Sequence, residues 1–207
     1  MAQIHRVSIK LPVARLAFEN IIKPSVDEKT GEEKYGSLLL FKPGQDLSAV
    51  EAAIMEVAEH FFKRGIPGGI MRRSRESKSG YPLNDQTDKA GQYRGFTEGA
   101  LYLGAYSKNQ PGVVEYRSAT EPAVPVAPER LPEFIYAGCY AQAHVTFYPY
   151  DNKNKGIGVS LEALRFVKHG EKLFGFNAEQ TFSEKDADLD AWLAENGTDE
   201  EDDYDLG

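Results

Sequence analysis

From Phe134 to Tyr150 the chain alternates with period two, and this stretch constrains the fold more than any other. Successive residues of a strand point to opposite faces. The odd positions, Ile135, Ala137, Cys139, Ala141, Ala143, Val145 and Phe147, are all apolar and belong in a core. The even positions, Phe134, Tyr136, Gly138, Tyr140, Gln142, His144, Thr146, Tyr148 and Tyr150, set aromatic rings among small and polar groups. A polar turn at 151–156 and a return over 156–168 make this strand one arm of a long hairpin. Residues 101–108 repeat the pattern, with Leu101, Leu103 and Ala105 against Tyr102, Gly104, Tyr106 and Lys108.

The remaining elements are shorter. Residues 3–22 alternate loosely and predict one or two strands, and 27–34 is a charged turn around Thr30-Gly31. Residues 35–42 and 113–117 also read as strands, the first closed by Pro43-Gly44. Leu47, Val50, Ile54, Val57, Ala58 and Phe61 recur at spacings of three and four, which predicts one amphipathic helix ended by Gly65. Asp46 or Ser48 can cap it, and Ser48-x-x-Glu51 has the form of a capping box. Residues 66–98 lack periodicity and read as a long loop. Residues 118–133 carry Pro122, Pro125, Pro128 and Pro132, and an extended connection without regular structure is expected there. The chain is therefore mainly β, with one helix and long loops.

Charge divides it in two. From Glu184 to Gly207 there are eleven Asp or Glu and one Lys, a net of -10. The whole chain carries -8, so residues 1–183 sum to +2. A run of like charge with few apolar groups cannot bury enough surface to offset its ordering entropy, so residues 184–207 are expected to be a disordered tail beside a domain over 1–183. An acidic tail can serve solubility alone, or it can imitate nucleic acid and compete for a basic groove on the same body.

A face of tyrosines separated by small groups suits base stacking, because every base has a π-face and rings hold it with little sequence preference. Tyr102, Tyr106, Tyr136, Tyr140, Tyr148 and Tyr150 are the candidate stacking residues. The bland alternative is that single tyrosines pack under loops with their hydroxyls reaching water. Cations accompany them: residues 61–117 hold ten Lys or Arg against five Asp or Glu. Arg72, Arg73, Arg75, Lys78, Arg94, Lys108, Lys153 and Lys155 are candidate phosphate contacts.

Other chemistries find less support. No phosphate-cradling G-x-x-x-x-G-K-[ST] motif occurs, and His5, His60, His144 and His169 are scattered without zinc spacing. The one cysteine, Cys139, lies on the apolar phase of a strand, so neither a disulfide nor a catalytic thiol is expected. Asp85, Asp88, Asp151 and Glu162 are the best case for a metal-dependent nuclease, and the signal is weak. No cofactor or resident metal is expected. No stretch has the length of a membrane span, and the expectation is a protein of the cytoplasm.

Three segments carry a resemblance: YGSLLLFKPGQDLSAVEAAI, YPLNDQTDKAGQYRGFTEGALYLGAYSKNQPGVVE and YAGCYAQAHVTFYPYDNKNKGIGVSLEALRFVKHGEKL. Together they resemble the single-stranded DNA-binding proteins of tailed bacteriophages, over most of residues 1–175. The resemblance implies an OB-fold, a Greek-key β-barrel with a helix, and sequence-independent binding of single-stranded DNA. It also implies an acidic tail that recruits replication or recombination proteins, for which Asp202, Asp203, Tyr204, Asp205 and Leu206 are the candidate contacts. Residues 118–133 and 71–79 look longer than the family's usual connections, and the stretch after Lys172 is unlike it. A homo-oligomer is left open. The rival readings are the nuclease and a phage adaptor whose tyrosine face binds protein.

Overall fold

The computed structural model describes residues 4–28, 30–61, 80–151 and 155–173. Residues 62–79, 152–154 and 174–207 lie outside that set, and with them Arg72, Arg73, Arg75, Lys78, Lys153 and the tail residues Asp202, Asp203, Tyr204, Asp205 and Leu206.

The long alternating stretch forms β8 (Tyr140–Asp151), which pairs along its whole length with β9 (Lys155–Lys168). Pairing reaches Asp151 and Lys155, so the connection is tighter than the polar run suggested. The predicted strand start is six residues early. Leu131–Phe134 is instead a short helix, α2, and Gly138 adopts a φ of 120°, which turns the chain before β8 begins. Phe134 is accordingly buried against Phe166 rather than facing outward.

The N-terminal stretch supplies β1 (Val7–Lys10) and β2 (Ala14–Val26), followed by β3 (Glu33–Leu40). The β2–β3 turn is held by the Asp27 carboxylate, which accepts the Thr30 N–H at 2.9 Å, and by Gly31 at positive φ. α1 runs Ser48–Phe61 and buries Val50, Ala53, Ile54, Val57 and Ala58 over β1 and β8. Asp46 rather than Ser48 supports its start: the Asp46 carboxylate accepts the Ser48 N–H at 2.9 Å, and that bond holds the acid below its usual pKa.

β4 (Leu83–Asp85) lies in the stretch read as loop and pairs with β5 (Leu101–Ser107). β6 (Gly112–Glu115) follows. The proline-rich connection is not irregular: it contains β7 (Val124–Pro125), a 3₁₀ turn at Pro128–Arg130, and α2. Pro128 and Pro132 sit at helix starts, where a missing N–H costs nothing.

Five strands close a barrel in the order β2-β3-β5-β9-β8-β2, with β1 added on β8 and β6-β7 added on β9. β5 and β9 run parallel, and the other wall pairs run antiparallel. This is the five-stranded Greek-key OB-fold. The interior holds Leu16, Ile21, Leu39, Leu103, Ala105, Ala141, Ala143, Val145, Phe147, Ile157, Val159, Leu161, Leu164 and Phe166.

β9 bends twice to close the wall. The pairing skips Glu162 between Val145↔Leu161 and His144↔Ala163, and it skips Val167 between Ala141↔Phe166 and Tyr140↔Lys168. Each extra residue reverses which side of the strand faces in. The buried side chains are thus Ile157, Val159 and Leu161 before the first bulge, and Leu164 and Phe166 after it.

Candidate nucleic-acid interface

Residues directly opposed in an antiparallel pair share a face. On the outer wall, tyrosines stand opposite glycines. Tyr148 pairs with Gly158 and Tyr150 with Gly156, while Tyr106 pairs with Gly36. In each case the ring occupies the space a side chain on the glycine would fill. A Cβ on Gly158 would meet the Tyr148 hydroxyl oxygen at 2.6 Å, and one on Gly156 would meet the Tyr150 hydroxyl oxygen at 2.5 Å. The Tyr106 ring also reaches back over Gly104, and it remains 42% exposed. Glycine lets these rings lie along the wall instead of standing away from it. Burial raises the pKa of Tyr106, and its neighbour Tyr102 raises it further.

The other end of β8 is basic. One outward row runs through direct pairings from Tyr140 to Arg15, Leu40, Tyr102 and Asn84. The Arg15 guanidinium lies 5.8 Å from the Tyr140 ring centre and the Lys168 ammonium 4.9 Å from it. Arg15 is held in place by donating to the backbone carbonyls of Gly138 (3.3 Å) and Glu171 (2.8 Å). Arg15, Lys42, Lys168 and Tyr140 line a cleft of about 530 Å³, and among the described residues no carboxylate lines it. Tyr136 lies off the strand. Its hydroxyl donates to the Gly170 carbonyl at 2.9 Å and accepts the Gly170 N–H at 3.1 Å.

Between these ends, residues 86–97 fold over β2, β3 and β5. Phe96 joins Ala17, Leu40 and Leu173 in a small outer cluster, with the Tyr102 ring edge-on to Phe96 at 6.0 Å. Tyr102 is therefore half-buried, and desolvation first and Asp88 second raise its pKa. The Lys89 ammonium stands 5.5 Å from the Tyr93 ring centre and 6.0 Å from those of Phe96 and Tyr102.

Three of the sequence-derived cations are ion-paired. Lys155 meets Asp151 at 3.1 Å, Arg94 meets Glu171 at 2.8 Å, and Lys108 meets Glu32 at 2.8 Å. Lys34 also binds Glu32, at 3.0 Å. Lys108 chiefly, with Lys34, holds the Glu32 carboxyl below the usual carboxylate range. These pairs are exposed, so a phosphate can take the place of the carboxylate at little cost.

Sequence reasoning missed Arg15, Lys42, Lys89 and Lys168, as well as Phe18 and Tyr93. Nothing in the local pattern around Arg15 or Lys168 marks them, since a bulge decides where Lys168 points. The glycines opposite the tyrosines were the available signal. Among the described residues, no group of three His, Cys, Asp or Glu side chains gathers to hold a metal. The Asp85 carboxylate accepts the Thr87 N–H at 2.6 Å. Burial pushes the Cys139 thiol up to about 11. Among the described residues, no helix is long and apolar enough to cross a membrane.

A five-stranded Greek-key barrel of this kind belongs to the OB-fold class, whose members include barrels that hold oligonucleotides or oligosaccharides on the outer wall. The family model for the ssDNA-binding protein of Enterobacter phage Enc34 matches residues 7–192, and the chain belongs to that family. It is 30% identical over 171 residues to protein p50 of Acyrthosiphon pisum secondary endosymbiont phage 1, covering 82% of this chain and 88% of that protein. Two solved structures share the fold. The single-stranded DNA-binding protein from bacteriophage Enc34, in complex with ssDNA, aligns at a TM-score of 0.60 and 22% identity, over 81% of this chain and 89% of that one. The single-stranded DNA-binding protein gp2.5 of bacteriophage T7 aligns at 0.53 and 14% identity, over 88% and 97%. The family and both structures are named for DNA binding.

Proposed function

We propose that this chain binds single-stranded DNA without sequence preference and performs no chemistry on it. The observation that carries the reading is the outer wall, where Tyr106, Tyr148 and Tyr150 each lie over a glycine of the neighbouring strand. Rings held this way are positioned before DNA arrives, so little ordering cost falls on binding. Tyr106, Tyr148 and Tyr150 stack bases, Tyr102 supports them from beneath Phe96, and Tyr140 extends the track toward the basic cleft. Tyr136 anchors the Gly170 turn that backs the cleft. Arg15, Lys42 and Lys168 hold phosphates there. Lys108, Lys155 and Arg94 exchange their carboxylate partners for phosphate, and Arg72, Arg73, Arg75, Lys78 and Lys153 serve the same role.

In this reading the protein serves phage DNA replication or recombination in the host cytoplasm. The tail over 184–207 competes with DNA for the cations and presents Asp202, Asp203, Tyr204, Asp205 and Leu206 to replication or recombination proteins. The test is anisotropy of a labelled homopolymer strand at several salt concentrations. Log affinity should fall with log salt by about 0.7 for each phosphate neutralised, and removal of residues 184–207 should tighten binding at low salt. Absence of binding at micromolar protein overturns the reading. Equal affinity of the full and truncated chains removes the competing role of the tail.

A further inference from the structure

On β2, strand alternation sends Leu16 inward opposite Leu39, both fully buried, and sends Arg15 and Ala17 outward opposite Leu40 and Leu38. Phe18 comes next and should turn into the barrel beside Leu16. It does not. Its φ is 47°, and it is the sole non-glycine residue at positive φ among the described residues. The β2–β3 register slips between Ala17 and Asn20 at the same point.

The bulge carries the ring to the outer side. There it stands edge-on to Tyr93, with centres 5.2 Å apart, and 6.1 Å from Phe96. Phe18 is 37% exposed and Tyr93 40% exposed, with the Lys89 ammonium 5.5 Å from Tyr93. Local hydrogen bonds hold the bulge: the Asn20 amide donates to the Phe18 carbonyl at 3.2 Å, and the Glu19 carboxylate accepts the Ile21 N–H at 3.2 Å.

This placement opposes stability twice. A left-handed backbone is strained for any residue with a Cβ, and an aromatic ring turned out of a core forgoes burial. Bulges beside functional sites re-aim a side chain in this way. The ring also lies one strand from Gly36, the residue beneath Tyr106, so it continues the aromatic wall.

We infer that Phe18 and Tyr93 form a base-stacking step of the single-strand track, with Lys89 taking the adjoining phosphate. The inference rests on the single-stranded DNA reading above and adds a step to its track. The ligand is a nucleobase, because two exposed rings beside a cation match a base joined to a phosphate.

Two variants of the full chain test it. Phe18→Gly removes the ring and suits the positive φ, so its thermal midpoint should stay near that of the parent while affinity for a homopolymer strand falls about five- to 150-fold. Its salt slope should be unchanged, since no phosphate contact is lost. Phe18→Trp, made with Trp192→Phe so that the introduced indole is the chain's sole tryptophan, should keep affinity and lose emission on DNA addition. Parental affinity in folded Phe18→Gly overturns the step; if that variant does not fold, indole emission unmoved by saturating DNA overturns it instead. Failure of the parent chain to bind DNA at all overturns the broader reading, so the two failures are distinguishable.

Discussion

Gly158→Ala separates the support of a stacking ring from the stability of the barrel. A Cβ at this position would stand 2.6 Å from the Tyr148 hydroxyl oxygen and 2.7 Å from its Cε2, whereas ordinary contact begins at 3.4 Å. The ring's Cζ lies closer still, so the ring end must retreat by more than about 0.8 Å, the difference between 3.4 and 2.6 Å. Its far end can swing, and no backbone atom is among the nearest contacts, so the fold has room to absorb the change. Glycine itself is about 0.5–1 kcal/mol less favourable than alanine inside a strand, which offsets the residual strain. Stability should therefore change by less than about 1 kcal/mol.

Binding should respond differently. A stacked base contributes about 1–3 kcal/mol, so losing one step weakens affinity about five- to 150-fold. The assay is anisotropy of a labelled homopolymer at fixed salt, paired with thermal unfolding of each variant. Tyr148→Ala should cost about the same, and Gly158→Ala with Tyr148→Ala together should cost no more than Tyr148→Ala alone, because both act through one ring. Full affinity in Gly158→Ala, or additive losses in the double variant, would refute the reasoning. Gly36→Ala gives the contrast. There the added Cβ meets the Ala105 carbonyl oxygen at 2.5 Å, which is backbone, so stability itself should fall.

Three further outcomes are expected. Tyr136→Phe removes the two hydroxyl bonds to Gly170 and should lower unfolding free energy by about 1–2 kcal/mol with unchanged DNA affinity; an unchanged denaturation midpoint would reject the anchoring role. Glu32→Gln releases Lys108 and Lys34, so DNA binding should tighten at low salt and the salt slope steepen by as much as about 1.4, two lysines at about 0.7 each, in anisotropy titrations. Burial raises the Glu19 pKa above 4.5, so folding favours its protonated form: stability from this group is present below pH 4.5 and lost as pH rises through the folded value. Glu19→Gln should accordingly raise the thermal midpoint at pH 7, and the gain should shrink in scans below pH 4.5.

Much of the barrel was legible because strand and helix periodicities are local. The alternation of Tyr140–Tyr150, the repeat at Leu101–Ser107 and the apolar face of Ser48–Phe61 each needed only their own residues to specify which side is buried. Mainly β architecture followed from those periods, and so did the aromatic character of the outer face. The family resemblance added the OB topology, which pairing confirms.

What only the tertiary structure decided lies where distant segments meet or where a strand loses its period. Tyr140 gains its cations from Arg15, across 125 positions, and from Lys168, which a bulge at Val167 brings opposite it. Lys108 reads as an open cation until the β2–β3 turn places Glu32 beside it. Phe18 reads as a core residue by parity, and a single left-handed dihedral puts it on the surface. Period and composition report the average side a strand presents to water. A bulge inserts one residue and reverses that side, at a point set by closure of the barrel rather than by the residues nearby.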